Sequence, residues 1–197
     1  GVFVIAPRMA NGYEQLQPGS LAAYSIGINI WLFSSYFIDG FSNAGNAIAG
    51  RLLGAKDYKR LRLLRNDLLK INGMVGLGLG VIYMIGYYGI GHLFSSDPVV
   101  LEIFFSFFWI IALMQPFNSM AFTYDGIFKG LGEAKALRNT LLIATFGLFL
   151  PLLYGFDYFL GTIFSVWIAF AAWMIFRGLS LHVVFNKKFG KNATSQI

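Results

Sequence analysis

Charged residues interrupt this chain only at long intervals, and the spacing of those interruptions is its main signal. Stretches free of Asp, Glu, Lys and Arg run over 15–38, from the residue after Asp39 to Gly50, and over 71–96, 103–124, 139–156 and 158–176. Each approaches the roughly 20 residues that carry a helix across a bilayer. The apolar pattern continues on both sides of Asp39, so the first span is read straight through that acid. Five full transmembrane helices are predicted, over about 21–50, 71–92, 99–128, 138–155 and 158–180. Strands are excluded as spanning elements, because the runs are too long and too evenly apolar for the alternating ten-residue segments of a barrel. Short connectors separate the spans: a basic stretch at 51–70, a turn at Ser95-Ser96-Asp97-Pro98, the segment Gly130 to Arg138, and a tight hairpin at Tyr154-Gly155-Phe156-Asp157. The opening GVFVIAP has no basic region ahead of a cleavage site and reads as the end of a truncated sixth helix, not as a signal peptide. The predicted class is therefore an all-α polytopic membrane protein, with residues 1–197 forming one lobe.

Composition agrees with this and narrows it. With 57% apolar and only 12% charged residues, the chain cannot hide its apolar side chains inside an ordinary soluble globule. The net charge of +6 prompts the question of nucleic acid, but the basic residues sit between long uncharged runs and form no single exposed face. Their distribution instead follows the positive-inside rule. Segment 51–70 holds seven, 126–138 three and the tail from 177 four, including Arg177 and Lys191, while Arg8 stands alone on the other side. These three segments are predicted to be cytoplasmic, in a cell inner (plasma) membrane with the C-terminus inside. The sequon Asn192-Ala193-Thr194 then lies on the wrong side for glycosylation. In 56–70, Leu61, Leu64 and Leu68 share one helical face and the cations occupy the rest, which predicts a segment lying along the inner headgroup layer. In the second span, Gly76 and Gly80 have the small-xxx-small spacing that lets helix backbones approach closely.

The chemistry lies in two acids. A carboxylate at the centre of a membrane helix costs roughly 2.5 kcal/mol or more, so Asp39 is expected to face a polar cavity or to hold a proton. Asn29, Tyr36, Asp39, Asn43 and Asn46 follow one another at steps of 7, 3, 4 and 3, which strings them along one helical stripe. The second acid, Asp125, follows Gln115 and Asn118 at steps of 3 and 7, just after Pro116, a residue that kinks helices and frees carbonyls. Such interrupted helices are the habitual address of transport sites. Asp39, Asp125, Asn43, Asn118 and Gln115 are predicted to face one cavity, with Asn29 and Tyr36 beside them. An interfacial pair between Asp125 and Lys129 is the competing arrangement for the second acid. Trp31, Trp109, Trp167 and Trp173 are read as lipid-facing or packing residues. No nucleophile elbow is present, and with no cysteine and isolated histidines no metal or other cofactor is expected; the chain is not read as an enzyme.

Two blocks of residues resemble a known family. Tyr36-Phe37-Ile38-Asp39-Gly40-Phe41-Ser42-Asn43-Ala44, followed by Ala49-Gly50-Arg51-Leu52-Leu53-Gly54-Ala55-Lys56-Asp57, resembles the eighth helix and following cytoplasmic loop of MATE (multidrug and toxic compound extrusion) transporters, nearest to the DinF-like branch. Pro116-Phe117-Asn118, Ala121-Phe122, Asp125-Gly126-Ile127-Phe128-Lys129-Gly130 and Arg138-Asn139 are similar to that branch's tenth helix and the entry to its eleventh. The resemblance implies the C-terminal half of a twelve-helix transporter with two lobes. It implies an antiporter driven by H+ or Na+ that exports amphipathic or cationic organic compounds, with the bilayer, a small organic substrate and the absent N-terminal lobe as partners. A lipid-linked saccharide flippase of the same superfamily is one alternative, and it calls for a cavity rich in Arg and Lys. A non-transporting membrane scaffold is the other.

Overall fold

The computed structural model describes residues 2–190, and these form helices joined by short turns, with no strand among them. The first helix, α1 (Val2–Leu16), leads into a turn at Gly19, whose φ of 95° is left-handed. Helix α2 (Ser20–Gly54) starts there without a cap of its own. Glu14 supplies one from the preceding helix, its carboxylate accepting the backbone N–H groups of Gly19 at 2.9 Å and Leu21 at 2.7 Å. Those bonds, which only the ionised carboxylate fully satisfies, hold Glu14 below the usual carboxylate range.

Helix α3 (Tyr58–Ile85) begins where Asp57 accepts the N–H of Arg60 at 3.0 Å. It corrects one expectation. The amphipathic stretch does not lie apart along the membrane surface but continues without a break into the second span. Its apolar face turns inward: Leu61 and Leu68 are buried in a cluster with Ala49, Tyr124, Phe128, Leu181 and Phe185. Arg65 adds a polar tie, donating to Asn186 Oδ1 at 3.0 Å and to the Tyr124 hydroxyl at 3.3 Å. Gly86 interrupts the helix, and the short α4 (Tyr87–Phe94) follows.

Helices α5 (Pro98–Leu113) and α6 (Gln115–Gly130) meet at Met114 with a bend of 52°, beside the proline that the sequence offered as a kink. Helix α7 (Ala134–Leu142), a π-helical segment (Ile143–Phe149) and α8 (Leu150–Leu160) form one apolar rod. The hairpin expected at 154–157 is absent; the rod continues through Gly155 and stops at Gly161, whose φ of 56° is left-handed. Helix α9 (Ile163–Phe189) closes the lobe. Four of these elements, Ser20–Gly54, Tyr58–Ile85, Ala134–Leu160 and Ile163–Phe189, are long and apolar enough to cross a membrane, and the bent α5–α6 pair makes a fifth if counted as one span. Lys191 and the sequon at 192–194 lie outside the described residues.

An aromatic core joins α1, α2, α5 and α9, with Phe107 stacked on Trp167 at 5.0 Å between ring centroids. Around α6 the helices pack backbone to backbone. Gly76 and Gly80 bring α3 against the carbonyls of Gln115 and Ala112, where an added Cβ would come within 2.7 and 2.8 Å of oxygen. Gly126 lets α6 sit on the Ser42 carbonyl of α2 in the same way. Between these three helices Asn72 donates to Ser42 Oγ at 3.0 Å and Thr123 Oγ1 at 2.7 Å. The tight seams fix the relative rotation of α2 and α6, the two helices that carry the acids.

Candidate functional site

A cavity of about 290 Å³ opens where α1, α2, α6 and α9 converge. Helix α2 contributes Trp31, Leu32, Ser35, Tyr36 and Asp39; α6 contributes Phe122, Asp125 and Lys129; α9 contributes Trp173 and Arg177; α1 contributes Phe3. Asp39 and Asp125 are 86 positions apart in the sequence and share this one space.

The two acids are held differently. The Asp125 side chain is 5% exposed and forms an ion pair with Arg177, whose Nη2 donates to Oδ2. Its other oxygen is buried without a protein partner. The Arg177 guanidinium lies 5.4 Å from the Trp173 ring centroid, a cation–π distance. Asp39 is half-buried and makes no ion pair among the described residues. Asn43, one turn on, donates to its Oδ2 at 3.1 Å, while Oδ1 is buried and unpartnered. Aromatic rings form the opposite wall: Phe3 packs on Trp31 at 5.8 Å, and Trp31 on Phe122 at 6.1 Å. A site with two carboxylates, two cations and an aromatic wall is chemically suited to an organic cation or to exchange of a small cation for a proton.

Several expectations change here. Asp125 pairs with Arg177 and not with Lys129, which lines the cavity from one turn further along α6. Gln115 and Asn118 are fully buried but do not line the cavity. Gln115 is ten residues from Asp125, about 80° away around the helix axis at 3.6 residues per turn. Its side chain donates to the Ile111 carbonyl at 2.8 Å, and its backbone oxygen abuts Gly76. Asn118 is on the Asp125 face but two turns away, beyond Phe122, and donates to Gln115 Oε1 at 3.4 Å. Asn43 reaches the site only through Asp39. Asn29 is exposed on α2 and bonds its own helix at the Ser25 carbonyl, 2.7 Å away. Tyr36 is at the mouth, 74% exposed. Trp31 and Trp173, read from sequence as lipid-facing or packing residues, are buried in the cavity wall.

Arg177 is the residue that sequence reasoning misplaced, by counting it with the cytoplasmic tail. The signal was present: 178–186 carries no charge, so Arg177 lies inside α9 and not at its end, and Trp173 is one turn before it on the same face. Without Arg177 the basic asymmetry still stands at thirteen to one. With Arg177 and Lys129 in the cavity, the site holds equal numbers of acids and bases.

A helical lobe whose longest helices can each cross a bilayer, with an ionic cavity set between them and a kinked helix beside it, defines an integral membrane protein of the transporter type. Residues 11–155 match the MatE family model, and the chain belongs to that family. It is 30% identical over 142 residues to Protein DETOXIFICATION 42 of Arabidopsis thaliana, covering 70% of this chain and 28% of that one. It is 25% identical over 174 residues to DNA damage-inducible protein F of Escherichia coli, covering 88% of this chain and 37% of that one. In fold it is similar to a structure described as the inward-facing conformation of a multidrug resistance MATE family transporter, with a TM-score of 0.82 at 15% identity, covering 98% of this chain and 43% of that one. The crystal structure of the eukaryotic MATE transporter AtDTX14 gives 0.80 at 18% identity, over 91% of this chain and 42% of that one. The chain thus spans less than half the length of these relatives.

Proposed function

We propose that this chain is the C-terminal lobe of an antiporter in the inner (plasma) membrane that exports amphipathic or cationic organic compounds by alternating access, driven by H+ or Na+. The observation that carries the reading is the shared cavity of Asp39 and Asp125, in which each acid keeps one buried oxygen without a protein donor. A desolvated oxygen left unpartnered is costly unless a proton, an ion or a ligand satisfies it. The aromatic wall adds an attraction for flat or cationic ligands. Asp39 is the exchanging acid, with Asn43 orienting it and Tyr36 at the entrance. Asn118 and Gln115 support α6 from behind, and Asn29 extends the polar stripe of α2. Protonated and cation-bound forms of Asp39 favour different lobe arrangements, which is the requirement for coupling. The basic ends of α3 and α9 face the cytoplasm in this reading, as does the C-terminus.

The test uses the complete transporter, including the second lobe, in proteoliposomes under an imposed ion gradient. Asp39→Asn keeps shape and hydrogen bonding but removes titration, so dye export is expected to fall at least tenfold while insertion and folding persist. Export at the unmodified rate refutes the coupling role and leaves a structural scaffold as the better account of the polar stripe.

A further inference from the structure

The proposed site contains two acids, and coupling through either would give different chemistry. Asp125 is the more deeply buried, at 5% side-chain exposure, yet it is the one that already has a cation. Arg177 reaches it from α9, is only 18% exposed itself, and is braced against Trp173. Asp39 has a neutral amide for a partner and no cation of its own among the described residues. Asp39 and Lys129 are both within electrostatic reach of Asp125, so the charges of the cavity act as one set. The titratable and charged groups facing it are Tyr36 and Asp39 from α2, Asp125 and Lys129 from α6, and Arg177 from α9; α1 presents only Phe3.

We infer that Arg177 is a positioning residue that assigns the roles of the two acids: by pairing with Asp125 it keeps that carboxylate ionised and out of exchange, leaving Asp39 to trade its proton for a cationic ligand. The inference rests on the cation-exporting function proposed above and adds the role of Arg177, which is the reason Asp39 and not Asp125 exchanges. In the exchange step the Asp39 carboxylic acid releases its proton to water, and the carboxylate formed pairs with the incoming cation, so charge in the cavity is conserved. Asp125 takes no part while Arg177 is in place, because replacing one cation by another there must first separate a buried, braced ion pair. Without Arg177, Asp125 is a lone carboxylate at the same depth. Such groups escape the cost of burial by taking up a proton. Removal of Arg177 therefore converts Asp125 into a second proton-exchanging acid.

The measurement is the dissociation constant of tetraphenylphosphonium for the complete, purified transporter as a function of pH. Every protein carries Lys129→Gln, so that this exposed lysine cannot take the place of Arg177. One exchanged proton makes binding about tenfold weaker per unit of falling pH. The parent is expected to show that slope on the acid side, and Asp39→Asn to flatten it. Adding Arg177→Gln to Asp39→Asn is expected to restore the tenfold slope through Asp125, whereas Arg177→Lys, which keeps the positive charge, is expected to stay flat. Persistence of the slope in Asp39→Asn, a flat response with Arg177→Gln, or identical behaviour of Gln and Lys overturns the inference. Should the double variant fail to fold, Arg177→Gln alone is measured with a bis-quaternary dication, whose two charges can displace two protons: a slope of about a hundredfold per unit is expected against about tenfold in the parent, and equal slopes overturn the inference. A parent that does not bind the probe at all refutes the proposed function instead.

Discussion

Replacing Gly76 and Gly78 of α3 with alanine separates two explanations of the glycine-rich span in one experiment. The residues are one turn apart or less on the same helix, yet a Cβ at Gly76 would stand 2.7 Å from the Gln115 carbonyl oxygen and 2.9 Å from Ser119 Oγ, while a Cβ at Gly78 would meet nothing within 4 Å. Ordinary contact begins near 3.4 Å, so α3 and α6 must separate by several tenths of an ångström to admit the first methyl group. Overpacking of this kind costs about 1–3 kcal/mol. Alanine recovers roughly 0.5–1 kcal/mol through its higher helix propensity, and this gain is common to both sites. The gain cancels between the two variants, so Gly76→Ala is expected to melt roughly 1–6 °C below Gly78→Ala in the complete transporter in detergent, with Gly78→Ala at or slightly above the parent. Intrinsic tryptophan fluorescence on heating reads both. Equal shifts for the two variants would show that α3 and α6 are not packed backbone to backbone.

Two further outcomes follow from the fold. Because the bonds from Gly19 and Leu21 hold Glu14 below its unfolded value, its stabilising effect is complete above the unfolded value and is lost as pH falls through the folded one. Melting curves between pH 7 and pH 3 should show a smaller acid-induced loss in Glu14→Gln than in the parent, and identical losses would remove the carboxylate from the cap. Cysteines at Lys59 and Lys135, placed in an otherwise cysteine-free chain, are expected to resist an impermeant thiol reagent added to intact cells. Labelling of both from outside would invert the topology.

Periodicity and charge carried the sequence reading as far as each is physically able to. Long uncharged runs locate helices because a bilayer leaves the backbone no other way to satisfy its polar groups, and α2, the α5–α6 pair and α9 lie where those runs are. Asp39 and Asp125 stood out for the same reason, as costs that a membrane helix tolerates only for a purpose. What failed was whatever depends on the neighbour of a helix face. The Leu and Arg alternation in 56–70 is the same whether a helix lies on the membrane or extends below it against Tyr124 and Phe185. Steps of three and seven align Gln115 with Asn118 and Asn118 with Asp125, but the small angular errors accumulate, so Gln115 ends on the α3 seam. Gly155 and Asp157 have turn-forming chemistry, yet Tyr13 of α1 donates its hydroxyl hydrogen bond to Asp157 within a continuing helix. Arg177 was legible in principle, since an uncharged run follows it, but a rule that assigns every cation to an end hides one that belongs inside.

Helix α3 is one uninterrupted rod clamped near one end, and that gives it mechanical leverage. From the Gly76–Gly80 contact to Tyr58 is about 20 residues, or roughly 30 Å at 1.5 Å per residue. A tilt of about 5° at the clamp, too small to disturb a single hydrogen bond within the helix, moves the basic end through roughly 2.5 Å. Arg62 and Arg65 join that end to α9 at Phe189 and Asn186, so the same displacement is delivered to the helix that carries Arg177. A rearrangement at the kink beside Gln115 would thereby become a larger stroke at the basic ends of α3 and α9.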